Sequence, residues 1–175
     1  IISLSKESIG TYNHSDALLI KQWSSLISVL EEQKKELIEE MTNIIKEHFP
    51  KILSIPGIGG NTAAGIIGEI GDISNFHSSD SLLAFAGLNP LVYESGKFKA
   101  LHTRISKKGS SYLRNALTLV ARSIIKHDET FSKYYLKKRN EGKSYNTAIC
   151  HVRKKIVRVI YSILKNNNEY KSLNN

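Results

Sequence analysis

Ser95 is the residue whose surroundings most invite covalent chemistry, and Gly96 follows it directly. A small hydroxyl beside a glycine can be presented on a tight turn without crowding from the next side chain. Lys97, Lys99, Arg104, Lys107 and Lys108 arrive in quick order, and Gly109 opens the approach to Arg114. This setting suits an anionic reactant, above all a phosphodiester, better than a neutral one. A serine hydroxyl is a weak nucleophile at neutral pH and needs a proton acceptor or a field that stabilises its alkoxide. Guanidinium groups supply such a field and can hold charge on equatorial phosphoryl oxygens. Arg104 and Arg114 are therefore the catalytic candidates beside Ser95, with Lys97, Lys99, Lys107 and Lys108 as grips. The same residues admit a plainer reading. Ser-Gly pairs are ordinary turn chemistry, Arg114 can lie along its own helix, and the lysines can be solvated surface. His102 offers a base seven residues on, and Tyr93 a rival nucleophile, although its apolar context suits packing.

The charge distribution narrows the partner. Residues 1–94 carry six Lys and Arg against twelve Asp and Glu, whereas residues 95–175 carry nineteen against four. The chain's net charge of +9 thus belongs to the half that begins at Ser95. Such asymmetry points to a polyanion, and nucleic acid is the expected one. A membrane surface fits less well, because the basic helices lack Trp and no lipidation signal is evident. No run approaches the length of a membrane span. The single cysteine, Cys150, excludes an internal disulfide and fits a reducing compartment. The six His and one Cys form no close ligand spacing, and acids are sparse after Glu94, so no metal centre is expected in the basic half. The first residue is Ile, not Met, which points to a fragment lacking its N-terminal part.

The elements that must position these groups are mainly helical. Residues 16–48 show Leu19, Trp23, Leu26, Leu30, Leu37 and Ile44 at alternating steps of four and three, with Gln33 and Glu40 filling two seam positions. Either a single amphipathic helix or a self-associating coiled coil satisfies this pattern. Pro50 stops it. Pro56-Gly57-Ile58-Gly59-Gly60 then reads as the hairpin of a helix-hairpin-helix, whose glycines (Gly57, Gly59, Gly60) let backbone N–H groups approach a phosphate without reading bases. Such hairpins also serve as plain scaffolding, and no Lys or Arg lies between Lys51 and Lys97 to assist this one.

Ser78, Ser79 or Asp80 can cap a short helix through Phe85, ended by Gly87. Residues 91–105 read as a β-hairpin or irregular loop with Ser95 at its tip. Three helices follow: one from Ser110 or Ser111 with Leu113, Ala116, Leu117, Val120, Ala121, Ile124 and Ile125 inward, one over 129–140, and one over 144–165. On the last, Arg153, Lys154, Lys155 and Arg158 are expected to face outward, with Arg153 and Lys154 as further DNA contacts. The expected divisions are 1–50, with the long helix, 51–167, with the hairpin and serine loop, and a disordered tail at 168–175.

Four pieces occur in order from about Ile52: IPGIGGNTAAGIIGEIGD, FAGLNP, the Ser95-Gly96 pair and RISKKGSSYLR. Together they resemble the C-terminal domain of the DEDD-type transposases of the insertion-sequence one-ten family, over roughly two thirds of the chain. The resemblance implies that Ser95 is the nucleophile, forming a phosphoserine-linked DNA strand that is later resealed. It implies that four acids in a separate N-terminal domain, absent from this chain, bind magnesium; no cofactor is expected here. It also implies that the 16–48 helix contributes to homo-oligomeric assembly, that a structured guide RNA is a partner to consider, and that the protein works in the prokaryotic cytoplasm at the nucleoid. The isolated chain is expected to bind DNA without recombining it. Two rival readings remain: a non-enzymatic DNA-binding module built on the hairpin and basic helices, and an assembly module driven by the long helix.

Overall fold

The computed structural model describes residue 10 and residues 13–90, 94–95, 98–99 and 105–172; at 94–95 and 98–99 the backbone alone is described. The protein is mainly α-helical and divides into two compact units, residues 1–40 and residues 41–175. Helix α1 (His14–His48) runs through the boundary. Asn13 starts it by accepting the Ser15 N–H at 3.0 Å, and Asp16 in the first turn complements the positive end of the helix dipole. In the first unit the apolar positions lie open: Leu19, Trp23, Leu26, Leu30 and Leu37 are between 43% and 60% exposed. In the second unit the same helix buries Ile45 in the core, and Pro50 ends it.

The second unit is built around α6 (Tyr145–Asn166), whose Ala148, Ile149, Val152, Ile156, Val157, Ile160 and Ile163 are buried. It packs on α3 (Ser79–Phe85), α4 (Ser111–His127) and α5 (Glu129–Asn140), while α4 also covers α2 (Gly60–Ile70). Leu113, Leu117, Val120, Ala121 and Ile124 recur at helical spacing on α4 and are all buried. Each fully buried Leu or Ile side chain contributes about 1.5–3 kcal/mol over leaving it in water. Helix starts follow local chemistry: Ser78 caps α3 through the Ser81 N–H, Ser110 caps α4 through Leu113, Asp128 caps α5 through Phe131, and Ser144 caps α6 through Thr147. Two short strands, β1 (Glu94–Ser95) and β2 (Phe98–Lys99), pair antiparallel between α3 and α4.

The tail expected to be disordered from residue 168 is instead held on the core as far as it is described. Lys51 Nζ donates to the Asn167 carbonyl, and the Tyr170 N–H donates to Ser54 Oγ at 2.8 Å. Tyr170 also donates its hydroxyl to Asp128 Oδ2 at 2.8 Å and packs its ring beside Phe131. An Asn-rich composition predicts weak local structure, but one aromatic ring with a buried hydrogen-bond partner is enough to anchor the segment. Asp128 is 5% exposed. Burial works to raise its pKa, yet the hydrogen bonds from Phe131, Tyr170, Ser172 and Thr130 prevail and hold the carboxyl below its usual range.

Candidate nucleic-acid interface

The serine-bearing loop leaves α3 and returns to α4 through a paired stem. Ser106 N–H donates to the Asn89 carbonyl at 2.8 Å, Lys107 N–H to Gly87 at 3.1 Å and Ser110 N–H to Phe85 at 3.2 Å. Pro90 and Ile105 form an antiparallel bridge just above. The stem is closed to a side chain at Gly109 and tight at Gly87. A Cβ on Gly109 would lie 2.1 Å from the Phe85 carbonyl oxygen, and one on Gly87 would lie 2.8 Å from Arg114 Nη1. Gly87 also takes φ +65°, which glycine adopts without strain. Lys107 takes φ +53°, a conformation costing a non-glycine residue roughly 1–2 kcal/mol. The stem is therefore specified closely rather than loosely draped.

Arg114 locks this stem. Its Nη1 donates to the Gly109 carbonyl at 2.9 Å and to the Ala86 carbonyl at 3.2 Å, tying the outgoing and returning arms together. Behind it, Thr118 Oγ1 donates to the Arg114 carbonyl at 2.7 Å, and Arg153 Nη1 donates to Thr118 Oγ1 at 3.1 Å. Two arginines expected to meet substrate are thus joined in one chain of contacts beneath the loop. Sequence reasoning missed this chain because nothing in local spacing brings residues 86, 109, 118 and 153 together. The α4 cap completes the arrangement, with Ser110 Oγ donating to Glu69 Oε2 at 2.5 Å.

At the other end of the loop, Glu94 pairs with Lys99 and Ser95 with Phe98. Only residues 96 and 97 lie between the last pair in sequence, so Ser95 occupies the final described rung of its strand. The side chains of Ser95 and Lys99 lie outside the described residues, as do Tyr93, Lys97, His102 and Arg104 in full. Lys107 and Lys108 are exposed at the stem.

The glycine-rich hairpin between the 3-10 turn Pro50–Ser54 and α2 separates its glycines by role. Gly57 has φ +87°, and a Cβ there would meet Ser123 Oγ of α4 at 2.6 Å. A Cβ on Gly60 would meet Thr42 at 2.4 Å. Both serve close packing. Gly59 is exposed with nothing near its Cβ direction, and it caps α2 without any side-chain hydrogen bond. The N–H groups of the first turn of α2 consequently have no helical acceptor, as at any helix start.

The basic face expected on α6 is half-buried at three of its four positions. Arg153 reaches Thr118, and its Nε is buried without a partner. Lys155 Nζ sits 5.0 Å from the ring centres of both Phe131 and Tyr134. Lys154 is half-buried, and Arg158, the exposed member, lies 3.6 Å from Asp80. The long aliphatic stems of Lys and Arg favour packing against aromatic neighbours, which sequence periodicity alone does not reveal. Beside Lys154, burial and then the charges of Lys138, Lys154 and Lys143 hold His151 below the ordinary histidine range. Sequence reasoning also passed over the solvent face of α4, although its helical spacing was legible.

Among the described residues, no three His, Cys, Asp or Glu side chains group as a metal site would require. Asp128 serves the α5 cap and Tyr170, Glu141 pairs with Lys138 at 2.8 Å, and Glu129 lies 2.6 Å from Lys133. These carboxylates do not converge, so the residues described here do not fit a magnesium centre. Among the described residues, no helix is long and apolar enough to cross a membrane.

The chain thus combines a hydrogen-bonded loop stem with a C-terminal half that carries most of the positive charge. Residues 50–136 match the model of the Transposase IS116/IS110/IS902 family. The chain is 31% identical over 173 residues to the transposase for insertion sequence element IS1111A of Coxiella burnetii, covering 96% of this chain and 47% of that protein. It is 28% identical over 152 residues to the pilin gene-inverting protein of Moraxella bovis, covering 86% of this chain and 47% of that one. With the insertion element IS110 uncharacterized 43.6 kDa protein of Streptomyces coelicolor the identity is 25% over 158 residues, covering 89% of this chain and 38% of that protein. The chain belongs to the IS116/IS110/IS902 transposase family. It spans about half the length, or less, of these relatives.

Proposed function

We propose that this chain is the serine-bearing, DNA-binding domain of a transposase, C-terminal in the full protein, with Ser95 as nucleophile. Ser95 Oγ attacks a DNA phosphorus, the Oγ–P bond forms as the bond to the departing strand breaks, and that strand leaves as a hydroxyl. The serine proton passes to a base or to solvent. Attack by a strand hydroxyl on the phosphoserine reverses the step and conserves the phosphodiester bond. Arg104 stabilises the charge on the phosphoryl oxygens, and Lys97, Lys99, Lys107 and Lys108 hold the backbone. Arg114 acts one step back, fixing the stem from which the loop projects.

The observation that carries this reading is the pairing of Ser95 with Phe98 at the end of a loop whose base is clasped by hydrogen bonds and by Arg114. A nucleophile gains most from being held at a fixed place relative to a bound strand. Gly59 and the first turn of α2, the open part of a helix-hairpin-helix, add a sequence-blind phosphate contact. The magnesium-binding acids implied by the family resemblance belong outside this chain, so the chain alone binds DNA without strand transfer. A structured guide RNA is a further partner in this reading, and the nucleoid of the prokaryotic cytoplasm is its place of action.

The test is Ser95→Ala in a protein that also carries the acidic domain, challenged with a substrate that traps a covalent adduct. Loss of the adduct with an unchanged salt slope of DNA binding is expected. An undiminished adduct would remove Ser95 from the chemistry and leave a non-enzymatic DNA-binding module.

The open stripe on α1 favours a homo-oligomer through residues 16–48, since Leu19, Trp23, Leu26, Leu30 and Leu37 follow a heptad and face solvent.

A further inference from the structure

The solvent face of α4 carries a pattern that neither the serine loop nor the core explains. Tyr112, Asn115, Leu119, Arg122 and Lys126 are all exposed, Tyr112 at 77% and Leu119 at 52%. At about 100° per residue these five positions fall within about 80° of one another and extend about 21 Å along the helix. The buried face, Leu113 to Ile124, lies opposite. Helix α4 contains no Asp or Glu, and Lys107 and Lys108 stand exposed just before its first turn. Glu69 Oε2 is taken by Ser110 Oγ at the N-cap, and at the far end Asp128 is buried and Glu129 pairs with Lys133.

We propose that this face is a track for one unpaired DNA strand, with Tyr112 stacking on a base beside the stem of the serine loop. Arg122 and Lys126 grip the phosphates further along, and Asn115 and Leu119 line the floor between them. A large aromatic ring left three-quarters open beside a row of cations can stack on a flat partner, and an unpaired base offers a face on each side. Duplex DNA hides its base faces and would engage the cations alone. Strong positive charge without an intervening acid disfavours an ordinary protein surface and favours a polyanion. This inference rests on the DNA-binding reading above and adds the state of the strand and the residues that hold it.

The test measures binding of a labelled oligothymidylate and of a blunt duplex of equal length by the full chain across a range of salt. Tyr112→Ala should weaken oligothymidylate binding about tenfold, with its salt slope and the duplex affinity unchanged, and Tyr112→Phe should restore it. The Arg122→Gln, Lys126→Gln double variant should lower the single-strand salt slope by about 1.4. An oligothymidylate carrying 5-iodouracil should photo-crosslink to the peptide containing Tyr112. If wild type binds DNA with a normal salt slope but Tyr112→Ala binds as well as wild type, the track is wrong while the DNA reading stands. Equal losses on duplex and single strand, a preference for oligouridylate alone, or a change of sedimentation in Tyr112→Ala would also overturn it. Absence of any salt-dependent DNA binding by wild type would overturn both.

Discussion

Arg114 donates from one nitrogen, Nη1, to the carbonyl of Gly109 at 2.9 Å, and Gly109 itself sits so close to Phe85 that no side chain fits there. The arginine and the glycine are two halves of one closure. Each arm of the stem is held by the other, and the guanidinium ties a knot across them.

That closure predicts unequal effects of substitution. Arg114→Ala strips donors from the Gly109 carbonyl and from the carbonyl of buried Ala86, and should destabilise by about 1–3 kcal/mol. Gly109→Ala forces a clash with backbone and should cost at least about 1–3 kcal/mol. Hydrogen exchange at the Lys107 and Ser110 amides should accelerate in both. If Arg114→Ala weakens DNA binding but leaves those amides protected, the residue touches phosphate and the clasp is secondary.

The hairpin glycines divide in the same manner. Gly57→Ala should lower thermal stability, because φ is +87° and Ser123 Oγ lies 2.6 Å from the new Cβ. Gly59→Ala meets open space and should leave stability within about 1 kcal/mol while weakening DNA binding. Thermal denaturation and binding of the two variants, measured side by side, distinguish scaffold from contact. A Gly59→Ala protein with full affinity would remove the hairpin from the interface.

Tyr170 and Asp128 make a pH-sensitive anchor for the tail. Burial first, then its bond to Asp128, pushes the Tyr170 hydroxyl up to about 12. A folded value above the unfolded one means the stabilisation is complete below about pH 10 and is lost as pH rises through 12. Asp128 has the opposite sign: its lowered folded value gives stability above the ordinary carboxylate range, lost on acidification. Absorbance at the tyrosinate band should show a late-ionising component that is missing in Tyr170→Phe. That variant should lose about 1.5–3 kcal/mol at neutral pH. A Tyr170→Phe titration indistinguishable from wild type would deny the anchor.

For α1, replacing Leu26, Leu30 and Leu37 with Ser should leave the second unit's melting unchanged and convert an oligomer to a monomer in sedimentation. An unchanged sedimentation coefficient would make the stripe a docking face for something other than a copy of this chain.

Local patterns were legible without coordinates wherever a side chain's neighbours lie within a turn or two of its own chain. The helical period of Leu113, Leu117, Val120 and Ile124, the caps to within a residue or two at 78–80 and 110–111, the stop at Pro50 and the charge asymmetry beginning at Ser95 all belong to this kind. So does the order of short motifs that marks the family. What the long helix of α6 does with Arg153 and Lys155, why Gly57 must be glycine, and how Tyr170 retains the tail depend on residues distant in sequence. Those assignments needed packing, because hydrogen bonds and close contacts between helices are set by three-dimensional proximity. A cation at an outward helical position is solvated or folded inward according to whether an aromatic face or a hydroxyl happens to stand across from it, and only the tertiary structure decides that.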